Sequence, residues 1–220
     1  MNIIIIISYL LYIYIYIMGC QCAKSEVDAY IHIDSLITTP SNANPNSNMK
    51  LTDYVKIMFK LINKARRYPK DFADIIEKSI KYITTESNRL IFSYKLKVAL
   101  CKGEEAFKAT VDELRTMQSL DPFEFKDDIV LEPPKIEEEV RDIKVFMEKV
   151  VEKKKQINLD AFFKDSIKDP EIAIIIMLVD DTVNNSGRKR AALLSREYKY
   201  IGISSALEGR SFCAYYTFMK

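Results

Sequence analysis

The chain has 220 residues, and 33 Lys and Arg against 31 Asp and Glu leave a formal charge of only +2, no argument for a nucleic-acid partner. Hydrophobic residues at 48% and charged residues at 29% are globular values, which excludes a disordered chain and makes one domain the default. A single histidine, His32, excludes a two-histidine metal site within one subunit.

The first stretch, residues 1–18, is a run of Ile, Tyr and Leu. It is short for a spanning helix, which needs about 20 apolar residues. It suits the apolar part of a signal peptide better, but the positive start is missing. A third reading begins at its far end, where Met18 is followed by Gly19-Cys20-Gln21-Cys22. Loss of Met18 would expose Gly19 for a myristoyl chain, with Cys20 and Cys22 placed for palmitoylation. One acyl chain binds a membrane reversibly, whereas two or three hold a protein there. Ala23 departs from that pattern, which prefers Ser or Thr. On this reading residues 1–17 are a mis-assigned upstream extension. Signal peptide, uncleaved anchor and acylated start all lead to a membrane or a secretory route. The expected location is a membrane, on its cytoplasmic face if acylated, or the exterior.

Residues 19–50 form a possible acylated start and a flexible linker, with Thr38–Asn48 of linker composition. His32 lies in that arm, where a Ser-His-Asp or Cys-His arrangement has no support.

The domain is expected over residues 51–220. A helix capped near Thr52-Asp53 carries Val55, Met58, Phe59 and Ile62 at helical spacing and ends before Pro69. A second helix runs from Lys70 to Tyr82, a polar turn covers Thr84–Arg89, and a third helix runs from Glu104 to Gln118. Leu120–Pro134 is extended and broken by prolines. Lys135–Lys155 is a charged helix with a narrow apolar stripe. Asp169 is placed to cap a helix that opens with Pro170 and Glu171. Ile172–Val179 is apolar on nearly all sides, which predicts a central, buried helix. After the polar loop Asp180–Arg190 and the apolar patch Ala191–Leu194, two alternating runs predict a hairpin. These are Tyr198–Ser205 and Ser211–Phe218, with Gly209 at the turn. Cys101 and Cys213 could pair, although two reduced, buried thiols suit so scattered a set better.

Three segments together resemble the CAP (SCP-like) superfamily of cysteine-rich secretory proteins, antigen 5 and plant pathogenesis-related proteins. One is the helix with Asn63-Lys-Ala-Arg66 followed by Pro69. A second spans Cys101-Lys-Gly-Glu-Glu-Ala-Phe107 to Leu120-Asp-Pro-Phe-Glu-Phe125. The third joins Ile172–Val179, Asn185-Ser-Gly-Arg-Lys-Arg-Ala-Ala-Leu-Leu194 and Tyr198-Lys-Tyr-Ile-Gly-Ile203. The resemblance implies an α+β fold, an α-β-α sandwich with a small antiparallel sheet between helical layers. Metal-binding members of that superfamily use two His and two Glu. One of those His positions corresponds here to Arg188, followed by Lys189 and Arg190. Guanidinium has no lone pair to give, so the metal site is expected to be degenerate, with no cofactor.

The expected function is therefore a non-catalytic CAP-like module, attached to a membrane through its N-terminus and binding an unknown protein or lipid. The alternative is a hydrolase-type relative with a histidine-free site. Asp180-Asp181 is the tempting carboxylate pair, but adjacent helical residues diverge by about 100°. Solvation at the helix end, or pairing with Arg188, Lys189 or Arg190, is the expectation for both. Nucleic-acid binding through Arg188–Arg190 would rest on three charges with no aromatic platform, so none is expected.

Overall fold

The computed structural model describes residues 51–131, 152, 159–181, 187–208 and 211–220. The expected lipidation sites Gly19, Cys20 and Cys22, most of the expected helix Lys135–Lys155 and the turn residue Gly209 lie outside them.

Helix α1 spans Leu51–Arg67 and α2 spans Pro69–Ser79, continued by a 3-10 turn over Ile80–Tyr82. Pro69 divides them, because the residue before a proline is pushed out of helical geometry; Tyr68 sits at φ −130° and ψ 62°. α1 buries Tyr54, Met58, Leu61, Ile62 and Ala65, the stripe that helical periodicity dictates.

The polar turn expected over Thr84–Arg89 is instead the first bend of a three-stranded antiparallel sheet. Its strands are β1 (Ile83–Glu86), β2 (Arg89–Ser93) and β3 (Lys97–Leu100). Glu86 faces Arg89, so Ser87 and Asn88 make a two-residue turn, both with positive φ (48° and 61°). That is the type I′ signature, whose twist matches the strands it joins. Helix α3 follows over Glu104–Thr116 and buries Phe107, Thr110, Val111 and Leu114.

The second sheet has four strands in the order β4-β6-β7-β5: β4 (Glu124–Phe125), β5 (Ala161–Asp165), β6 (Tyr200–Glu208) and β7 (Ser211–Met219). β5, β7 and β6 pair antiparallel, while the short β4 joins β6 in parallel. The sheet is therefore mixed at one edge, not wholly antiparallel as expected. Between β5 and β6 lie helix α4 (Pro170–Val179) and the six-residue helix α5 (Arg188–Leu193).

α1 packs on β6, and α4 packs in turn against α1, α3 and α5. With neighbours around it, α4 is buried at Pro170 and at every position from Ile172 to Val179. Its start is fixed by Asp169, whose Oδ1 accepts from the N–H groups of Glu171 (3.0 Å) and Ile172 (3.1 Å). Lys95, from the β2–β3 turn, adds an ion pair to Glu171 at 2.5 Å.

One face of the second sheet carries Ile201, Ile203, Phe212, Ala214, Tyr216 and Phe218 into the main core, which α1, α3 and α4 share. Ile129 and Leu131 belong to a smaller cluster with Leu159, packed by Phe162, Tyr200 and Met219. Ile129 closes a 3-10 turn over Asp127–Ile129. The fold is thus α+β with small sheets, as the sequence implies.

Gly202, the glycine of the apolar-Gly-apolar run, has a packing reason. A Cβ there would lie 2.5 Å from Thr217 Oγ1 and 3.0 Å from the Ile129 carbonyl carbon. Thr217 Oγ1 is held there because it donates to the Ile129 carbonyl at 2.7 Å.

Candidate functional site

Of the charged residues singled out in the sequence at the junction of α4 and α5, Asp180, Asp181, Lys189 and Arg190 are bound into the framework. Asp180 ends α4 in the left-handed region (φ 52°), a conformation that Asp tolerates better than most residues. Its Oδ2 accepts from the Lys189 backbone N–H at 2.7 Å, which closes the loop onto the start of α5. Burial raises the Asp180 carboxyl above its usual range, opposed by the N–H of Lys189 and by the charges of Lys189 and Arg190.

Asp181 reaches the other way. Its carboxylate accepts from the N–H groups of Cys101 (3.1 Å), Lys102 (2.8 Å) and Gly103 (2.7 Å). Those three groups lie on the turn between β3 and α3, so Asp181 fixes the start of α3 from outside. Asp180 and Asp181 are 5% and 6% exposed, which overturns solvation at a helix end. Of the expected pairings with the basic triplet, the Asp180–Lys189 hydrogen bond runs through the backbone, and Asp181 turns to the β3–α3 turn instead. The two carboxylates diverge, as adjacent positions should.

The three basic residues also separate. Arg188 is exposed at the first position of α5. Lys189 turns inward, where its Nζ lies 3.2 Å from Oδ1 of the buried Asp165. Asp165 Oδ2 accepts from the Ile167 N–H at 3.0 Å, so both oxygens of that carboxylate are engaged. Arg190 Nη1 donates to the carbonyls of Leu178 and Val179, both at 3.0 Å, and to Thr110 Oγ1 at 2.9 Å. It thereby satisfies the carbonyl end of α4 with a cation, the favourable sign for a helix C-terminus.

Two buried hydroxyls sit near Asp165. Tyr54 Oη donates to the Ile167 carbonyl at 3.2 Å and lies 3.0 Å from Tyr216 Oη. A phenol has one proton to donate, so Tyr216 is the donor in that pair. Burial first, then Asp165 for Tyr54 and Tyr54 itself for Tyr216, raise both phenols well above their ordinary range. Both are neutral at physiological pH.

Asn63 and Arg66 of α1 complete the network. Asn63 exchanges two hydrogen bonds with the Phe123 backbone, at 2.7 and 3.1 Å. Arg66, 3% exposed, donates to the carbonyls of Asp121 (2.7 Å), Leu193 (2.9 Å) and Ser195 (2.9 Å). Its guanidinium carbon stands 3.7 Å from the Phe123 ring centroid. Burial lowers its pKa to about 10, and it stays cationic at neutral pH. One side chain therefore joins α1, the strand β4 approach and the exit of α5. Asn63 and Arg66 entered the sequence reading only as residues that carry the family resemblance. Asp165, Tyr54 and Tyr216 were not singled out, and only the alternation of β7 pointed to Tyr216.

Cys101 and Cys213 are both free thiols. Cys213 is buried as expected, but Cys101 is exposed, because it lies on the surface turn that Asp181 clamps. Burial and Asp181 raise the Cys101 thiol, which lowers its thiolate fraction and its reactivity.

Among the described residues, no three His, Cys, Asp or Glu side chains gather where a metal ion could be held. None of their helices is long and apolar enough to cross a membrane. Comparisons with protein-family models, curated proteins and solved structures found no match to this chain.

Proposed function

We propose that the chain is a non-catalytic binding module with a CAP-like scaffold, held at a membrane through its N-terminal segment, whose ligand is a lipid or a partner protein. The observation that carries this reading is the fate of the loop charges. Where the resembled superfamily places a metal-ligand loop, Lys189 pairs with Asp165, Arg190 caps α4, and Asp180 and Asp181 hold backbone N–H groups. A catalytic constellation needs a nucleophile and a base aimed at one reacting atom. Here the polar groups aim at the framework.

The scaffold reading is supported by what the resemblance-bearing residues do. Asn63 and Arg66 tie α1 to the Leu120–Phe123 segment and the end of α5, and Gly202 admits the chain at Ile129. The membrane part rests on Gly19, Cys20 and Cys22 and on the apolar run before them.

Two measurements test the proposal. Mass spectrometry of the N-terminus, on chain recovered from its own cells, should find an acylated Gly19 or a retained apolar segment in the membrane fraction. A mature chain that begins at Lys24 or later, without lipid and outside that fraction, would sink the membrane reading. Retention of labelled sterol or fatty acid by the full chain tests the lipid ligand, and no retention leaves the partner protein.

A further inference from the structure

The outward face of α1 carries Lys56, Lys60, Lys64 and Arg67, with Asp53 the one acid in the helix. At 3.6 residues per turn these four fall within about 80° of arc and form a stripe about 16 Å long. Lys56, Lys60 and Arg67 are exposed and Lys64 is half-buried. Among the described residues, none of the four has an ion-pair partner.

Elsewhere on the surface some cations are paired, while others, such as Lys78, Arg89 and Arg196, have no ion pair among the described residues. Lys97 pairs with Glu86 at 3.0 Å, Lys108 with Glu104 at 2.6 Å, Arg115 with Glu77 at 2.6 Å and Lys220 with Glu197 at 2.8 Å. What sets α1 apart is the alignment: four cations without an ion pair share one face of one helix, with Asp53 at the start of that face. At the end of that stripe stands Tyr68, 49% exposed, an apolar ring with a polar tip. Rings of that kind settle at the boundary between headgroups and water.

We infer that this face of α1 docks on an anionic membrane, with Lys56, Lys60, Lys64 and Arg67 against the headgroups and Tyr68 at their edge. The stripe runs along an exposed helix face, which suits a flat, laterally mobile array of negative charge. It has no aromatic platform between its cations, as single-stranded nucleic acid would need. α1 is also the first described element after the linker, so an N-terminal attachment would bring this part of the domain to the surface first. A lipid chain and a basic patch together make a stable anchor where either alone is marginal. To that extent the inference rests on the membrane-attached reading above.

The test uses the full chain and sedimenting vesicles of phosphatidylcholine, with and without phosphatidylserine. Retention on phosphatidylcholine reports the N-terminal attachment; the gain from phosphatidylserine reports the α1 face. The two can fail separately. The expected gain falls about fivefold for each cation removed, so the variant Lys56→Gln, Lys60→Gln, Lys64→Gln, Arg67→Gln loses on the order of 600-fold. It should also shrink as ionic strength rises. A control, Lys97→Gln, Lys108→Gln, Arg115→Gln, Lys220→Gln, removes the same charge from paired sites and should keep the preference. Seven of the eight residues are exposed and Lys64 is half-buried, and circular dichroism should show both variants folded. The inference is overturned if the α1 variant keeps the preference, or if the control loses it equally. It is also overturned if the wild type shows no preference for phosphatidylserine, whether or not it binds a DNA duplex through the same four residues.

Discussion

Asp181 and Gly103 are 78 residues apart in sequence, and the Gly103 N–H donates to the Asp181 carboxylate at 2.7 Å. With Cys101 and Lys102, three backbone donors converge on one buried side chain. Hydrogen bonds to a charged acceptor contribute about 1.5–3 kcal/mol each, and a donor left buried without a partner costs more than the bond was worth. Asp181→Ala should therefore destabilise the domain by about 3 kcal/mol or more. Asp181→Asn, which keeps one acceptor oxygen, should cost roughly half as much. Urea midpoints at unchanged slope will show it. A loss under about 1 kcal/mol for the alanine variant would mean that the β3–α3 turn does not depend on this carboxylate.

Lys189 and Asp165 make the second long-range bond of the loop, and here the sign of the double variant matters. Breaking a buried pair by removing one partner leaves a charge without compensation and costs about 3–5 kcal/mol. Lys189→Met and Asp165→Asn should each destabilise by about 2–4 kcal/mol, since Lys189 keeps 19% of its side chain exposed. The double variant should recover a large part of that loss. Independent, additive costs in a double-mutant cycle would show that the pair does not couple.

Gly202 gives a test of the close approach between β6 and the Asp127–Ile129 turn. Gly202→Ala puts a methyl 2.5 Å from Thr217 Oγ1, and overpacking of this kind costs about 1–3 kcal/mol. The backbone at Ile129 is also in the way, at 3.0 Å, so the relief from Thr217→Ala should be partial. An alanine at position 202 that leaves thermal stability unchanged would show that this approach is loose in solution.

The elements legible in the sequence are those whose pattern answers to burial. Ile172–Val179 is apolar all round because α1, α3 and α5 surround it, and Asp169-Pro170 marks its start in local capping chemistry. β6 and β7 alternate because one face meets the main core. The first sheet was hidden because its turn uses Ser87-Asn88 instead of an Asn-Gly pair, and because β1 is largely exposed, so no apolar alternation marks it. β5 was hidden for a related reason: Ala161-Phe-Phe-Lys-Asp165 is an edge strand with adjacent aromatics, too short for a period to emerge. At the candidate site, the sequence singled out Asp180, Asp181, Lys189 and Arg190 but neither the buried Asp165 nor the partners of the four. Asp181 holds the β3–α3 turn, and Lys189 holds Asp165 across 24 positions. Such pairings are set by tertiary packing, which neither spacing nor propensity encodes.

Asp180 supplies the pH-dependent case. Burial raises its folded-state pKa, with the Lys189 N–H and the nearby cations opposing but not cancelling that effect. A carboxyl whose pKa is higher folded than unfolded favours the folded state when protonated. Its contribution is full below the unfolded pKa and is lost as pH rises through the folded one. At neutral pH the buried charge is therefore a net cost. Asp180→Asn removes the charge, keeps an acceptor for Lys189 and tolerates the left-handed backbone at φ 52°. The variant should be at least as stable as the wild type at pH 7. Its advantage should shrink as pH falls and Asp180 in the wild type takes up its proton. Urea unfolding of both chains across the acid range reads this difference directly. An asparagine variant that is less stable at pH 7, with a deficit that narrows in acid, would show instead that the cations of α5 hold the Asp180 charge more strongly than burial opposes it.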